Sequence, residues 1–276
     1  MKNNGFIKPV VDKTHYVLGG SISTLPTKII RPDGDWRKSL PKGELQALPG
    51  FDTFNCTGFG STNIVEPYMK EVFGVDVNFS DRDVGIIAGT KPPGNDPHTV
   101  MQAIRDNGLI EEFLLPFDST LQNSDEYFSY KGADKEACDK ARQAWHDKYD
   151  FKHEWVFTPT ENPGEEEIHN MKVALKYSPL GVSVYAWQKD GRGYYVNIGE
   201  PNHWTVLYCY DDLKRIFDTY EPFLKDVDQP IWFCKRISIE LKSPPNIVEE
   251  KQDLWSQFWG WLLKEINIFK YFYDKK

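Results

Sequence analysis

At 276 residues, with 40% hydrophobic and 27% charged residues, the chain can bury a sizeable core and is too apolar to be disordered. Its 41 acids against 33 bases give a formal charge of −8, which argues against a general nucleic-acid binder. Four cysteines without short regular spacing exclude a disulfide scaffold and a four-cysteine zinc site, and no apolar run is long enough to span a bilayer as a helix.

Residues 1–34 are rich in Gly, Pro, Thr and Lys and show no sustained period, so they read as an irregular arm. No apolar stretch follows the first lysines, so the sequence predicts no secretory signal. Together with unpaired cysteines this points to a cytoplasmic protein. Phe59, Ile64, Val65, Tyr68, Met69, Val72 and Phe73 recur at three- and four-residue steps, which predicts a helix ending at Gly74. Asp96 as N-cap, Pro97 at the first position and Gly108 as the stop predict a second helix. The stretch from Asp118 to Gly164 is polar, with a helix expected over 135–148, and three acids open a further helix over 165–177.

Beyond Pro179 the pattern switches to strands, over 181–187, 193–198, 203–210, 215–220 and 231–241. A helical first half followed by an antiparallel, aromatic-rich second half predicts an α+β protein. Ser243-Pro-Pro-Asn marks a break before a separate segment, 244–276.

Cys56 stands where an irregular loop turns into the first helix. The positive end of a helix dipole and unpaired N–H groups favour thiolate there. His203 lies where a loop enters a buried strand, so it can present one ring nitrogen to a cleft and the other to a partner behind it. Asp218 falls 15 residues later, across an apparent hairpin turning at Asp211-Asp212. Nucleophile, base and orienter are the three roles that acyl transfer by a thiol requires.

These residues lie within a longer likeness. Asp35-Trp-Arg, Asn55-Cys-Thr-Gly-Phe-Gly, Phe79-Ser-Asp-Arg-Asp-Val, Gly94 to Phe117 and Gly181-Val-Ser-Val-Tyr occur in the order of corresponding stretches of papain-like cysteine peptidases. His203 follows Cys56 by 147 residues, within the roughly 130–150 expected of that arrangement. The chain over 35–241 thus resembles that family. The resemblance implies a two-lobed fold over 35–243, a helical left lobe (roughly 35–164) facing a β-rich right lobe (roughly 165–243), and a peptidase acting on a peptide or protein substrate without a cofactor or metal. It casts Cys56 as nucleophile, His203 as base and Asp218 as orienter where the family usually has Asn. Thr53 stands where a disulfide cysteine would be, and Tyr220 replaces a shielding tryptophan. Gly50 occupies the usual place of the oxyanion-hole glutamine, so Gln46, ten residues before Cys56, is the candidate if the loop is longer, with the Asn55 side chain as substitute. Amide hydrolysis or transpeptidation on a cell-wall or other small substrate, and an idle papain-like binding scaffold, are the alternatives.

Cys138, Cys209 and Cys234 read as packing residues, and His98, His146, His153 and His169 show no metal-ligand spacing. In the tail, Trp255, Phe258, Trp259, Leu262, Ile266, Phe269 and Tyr273 make a helical stripe. It would pack on its own domain or a second copy, with a membrane surface or a partner groove as alternatives.

Overall fold

Helix α1 (Cys56–Phe73) is buried along most of its length and ends at Gly74, whose φ of 67° is left-handed and whose N–H closes on Lys70 and Met69. Two further helices follow: α2 (Asp81–Ile87), capped by Ser80, and α3 (Pro97–Asn107), where Asp96 accepts from His98 and Thr99 N–H. Then come the short α4 (Ser124–Tyr127), α5 (Lys135–Lys148) and α6 (Glu165–Ala174). The helices expected at 97–107, 135–148 and 165–177 are therefore present, the last ending early at Ala174. This computed structural model describes residues 5–11, 15, 28–48 and 50–242. The aromatic tail at 244–276, with its proposed packing and membrane contacts, lies outside them.

Strands β1 (Gly5–Phe6) and β4 (Gly94–Asn95) pair in parallel, and β2 (Ala47–Leu48) and β3 (Phe51–Asp52) form a small hairpin. The start of the arm is therefore built into the structure, and Phe6 stacks on Trp204 with ring centres 6.1 Å apart. Among the described residues the main sheet holds eight strands: β5 (Tyr149–Trp155), β6 (Leu180–Val184), β7 (Gln188–Lys189), β8 (Tyr195–Val196), β9 (His203–Tyr210), β10 (Lys214–Phe217), β11 (Leu224–Asp228) and β12 (Cys234–Leu241). They run in the order β5-β12-β6-β9-β10-β11-β8-β7. The sheet is mostly antiparallel, as expected, but β8 and β11 pair in parallel.

Helix α1 lies against β9, and Trp204 is the wedge between them. A Cβ at Gly60 on α1 would fall 2.7 Å from the Trp204 ring, and one at Gly181 on β6 would fall 2.4 Å from it. Both positions need glycine because the indole fills the space a side chain would take. This close packing brings the start of α1 to the start of β9.

The chain divides into two units, Met1–Glu240 and Leu241–Lys276, and the first carries everything described below. Among the described residues no helix is long and apolar enough to cross a membrane.

Candidate active site

The loop before α1 is locked from behind. Asn55 donates its amide to Asp81 O at 2.8 Å and to Tyr127 Oη at 2.9 Å, deep in the core. Its side chain is thereby committed to the loop and is not a substitute oxyanion donor. Cys56 follows as the first residue of α1, where N–H groups have no intrahelical acceptor.

His203 opens β9, in register with Val184 of β6. Its Nε2 lies 2.6 Å from Asp218 Oδ1, across the hairpin formed by β9 and β10. Its Nδ1 is buried and has no hydrogen-bond partner among the described residues. The next residue, Trp204, donates its backbone N–H to Cys56 Sγ at 3.4 Å. Two aromatic rings flank the imidazole: Tyr220 at 5.4 Å and Trp187 edge-on at 5.7 Å. The shielding expected of Tyr220 is thus shared with Trp187.

Gln46 comes to the same place. Between it and Cys56 the β2–β3 hairpin takes up the extra length. Gln46 N–H donates to Thr219 O at 3.2 Å, and Thr219 Oγ1 donates to Gln46 Oε1 at 2.8 Å, which fastens it beside Asp218. The Gln46 amide nitrogen donates to Asp52 Oδ1 at 3.0 Å and to Tyr220 Oη at 2.7 Å, and Tyr220 in turn donates to Asp52 Oδ2. Gln46, Asp52 and Tyr220 form a closed triangle. Asp52, missed from sequence, also accepts from Phe54 N–H at 2.9 Å.

Cys56, His203, Asp218 and Gln46 are all fully buried. Burial pushes the Cys56 thiol well above its ordinary range, and the carboxylates of Asp52 and Asp218 add to this against the N–H groups of Trp204 and Thr57. The expectation that the helix dipole and unpaired N–H groups favour thiolate is corrected here: loss of solvation outweighs the N–H groups that reach the sulfur. Burial would also raise Asp218, but His203 and Lys225 beside it prevail and hold its carboxyl below the usual value. Lys225 Nζ lies 2.6 Å from Asp218 Oδ2, a partner that no local sequence signal marks. A cavity of about 570 Å³ lined by Leu48, Phe51, Asp52, Trp187 and Tyr220 adjoins the group.

No protein-family model and no curated protein matches the sequence. Solved structures do. Digestive procathepsin L 3 of Tenebrio molitor larval midgut superposes with a TM-score of 0.55 at 12% identity, over 86% of this chain and 76% of that one. The Amb a 11 cysteine protease of ragweed pollen, in its proform, gives 0.52 at 16% identity, over 81% of this chain and 62% of that one. A Carica candamarcensis cysteine protease in complex with E-64 gives 0.52 at 15% identity, over 76% of this chain and 98% of that one. At these identities the likeness is one of fold: the chain has a divergent papain-like fold, with the helices and the large, mostly antiparallel sheet of those proteases.

Proposed function

We propose that the protein is a cysteine peptidase that hydrolyses peptide bonds through Cys56, His203 and Asp218. One observation carries the reading. His203 has one ring nitrogen bound to a buried carboxylate and the other buried without a partner among the described residues, while the residue after it touches the Cys56 sulfur. This puts a thiol, an imidazole and the carboxylate that orients it at one end of the contact between α1 and β9.

In this reading the resting thiol is neutral, because burial disfavours an isolated thiolate. When a peptide enters, His203 Nδ1 accepts the Cys56 proton as Sγ attacks the scissile carbonyl carbon. Asp218 holds the proton on Nε2, fixing the tautomer that leaves Nδ1 as acceptor, and stabilises the imidazolium once formed. The tetrahedral oxyanion is met by the Cys56 N–H at the head of α1 and by the Gln46 amide, which gives up one bond of its triangle with Asp52 and Tyr220. The imidazolium then protonates the leaving amine, and water returned through the same base hydrolyses the thioester.

A profile of cleavage products from a mixed peptide library tests this directly. Cuts that vanish in Cys56→Ala are expected. A library untouched by the parent chain at any pH between 5 and 9 overturns the peptidase reading.

A further inference from the structure

Asp218 uses its two oxygens on two different partners. Oδ1 meets His203 Nε2 at 2.6 Å and Oδ2 meets Lys225 Nζ, also at 2.6 Å. The hairpin of β10 and β11 makes this possible: Ile216 pairs with Lys225, Phe217 with Leu224, and Asp218 N–H closes on Phe223 O at 2.8 Å. The ammonium is fully used. Its three protons match three acceptors, Asp218 Oδ2, Tyr220 O at 2.5 Å and Pro222 O at 2.6 Å. The Trp187 ring centre lies 4.8 Å from the same nitrogen, and the lysine side chain is only 1% exposed.

A buried ammonium so placed does more than fill space. A lone carboxylate in a dry site would draw a proton onto the imidazole and hold it there, which opposes both removal of the thiol proton and its delivery to the leaving amine. An ammonium against the far oxygen cancels that charge and leaves the hydrogen-bond direction intact. We propose that Lys225 is a positioning residue that neutralises Asp218, so that His203 is oriented by a pair of zero net charge. This rests on the cysteine-peptidase reading of the site. Other titratable groups face it from the packed elements: Cys56 on α1, Asp52 on β3, Tyr220 after β10 and Lys189 on β7. Among the described residues Lys225 is the lysine or arginine in ion-pair contact with Asp218.

Two readouts test the proposal: the pH dependence of kcat/KM, and the titration of the His203 ring followed by NMR in a Cys56→Ala background, which needs no activity. Lys225→Met is expected to move the acidic limb, where His203 must lose its proton to act as base, and the ring's titration midpoint upward by roughly one to three pH units, the usual effect of an uncompensated neighbouring charge. Combining Lys225→Met with Asp218→Asn removes both charges and is expected to return the midpoint to within about half a unit of the parent. A lysine that serves only as structural glue gives no such reversal. The proposal is overturned if Lys225→Met leaves the midpoint in place, or if the double variant stays shifted. Should Lys225→Met fail to fold, the double variant, which leaves no unpaired buried charge, decides alone: a midpoint more than about one unit from the parent overturns the proposal. An inactive parent chain would end the peptidase reading, while the ring titration would still judge the charge balance.

Discussion

The backbone N–H of Trp204 points at the Cys56 sulfur across 3.4 Å, so the strand that carries the candidate base also touches the candidate nucleophile. That contact depends on the Trp204 indole lying flush against α1, where a Cβ at Gly60 would come within 2.7 Å of the ring. Gly60→Ala must therefore displace either the helix or the strand. Misplacement on this scale can cost on the order of 10²-fold in rate, so kcat is expected to fall about 10- to 100-fold with the circular dichroism spectrum kept. Steady-state kinetics beside the spectrum check it.

Cys56 offers a second test. Its thiol is pushed up by burial, so thiolate must be made by transfer to His203 rather than by loss to water. Alkylation of native Cys56 by iodoacetamide is expected to be slow at pH 6 and to rise with pH. His203→Ala is expected to slow it at pH 7 by roughly 10²-fold or more, the ordinary contribution of a general base. Site-resolved mass spectrometry gives the rate, and equal rates with and without His203 would remove the base from the mechanism.

Gln46 is held in a triangle, and its role separates from that of its neighbours by mutation. Gln46→Ala is expected to lower kcat by roughly 10²–10³ and to leave KM within a few fold, as loss of an oxyanion donor does. Tyr220→Phe frees one Gln46 proton without removing the amide. It is expected to cost less than about tenfold in kcat, well short of a lost donor.

The parts legible in the sequence were those set by local rules. The Asp96, Pro97 and Gly108 signals mark α3 to the residue, because a cap is decided within one turn. His203 and Asp218 were legible because a hairpin fixes their separation. Strand β5 was not, since Lys152, His153 and Glu154 look solvated in sequence. In the fold Glu154 pairs with Arg236 at 2.6 Å and His153 with Lys235 at 3.0 Å, partners more than 80 residues away. Helix α2 was hidden for the same reason. Asp81, Arg82 and Asp83 are buried, with Arg82 donating to carbonyls of Pro116, Glu126, Tyr127, Ser129 and Lys131. Lys225 reads as an ordinary surface lysine until the register of β10 and β11 sets it on Asp218. Charges satisfied at long range leave no local trace.

Another buried acid gives a prediction on stability. Glu66 on α1 accepts from Phe79 N–H at 2.8 Å, and burial pushes its carboxyl up to about 8. The folded group titrates near 8 and the unfolded one near 4.5. Its protonated form thus favours the fold fully below pH 4.5, and that stabilisation is lost as pH rises through 8. Glu66→Gln keeps the acceptor and removes the titration. Its Tm is expected to exceed the parent's by several degrees at pH 8.5, with the gap closing toward pH 4.5. Thermal melts across that range measure it.

The central claim is that Cys56 is a nucleophile served by His203, and covalent capture tests it most directly. The native chain is incubated with a peptidyl electrophile, such as a peptidyl fluoromethyl ketone, and its intact mass and modified site are read. One adduct per chain on Cys56 is expected, lost in Cys56→Ala and strongly slowed in His203→Ala. No adduct on the native chain, or label spread equally over Cys138, Cys209 and Cys234, would contradict the claim.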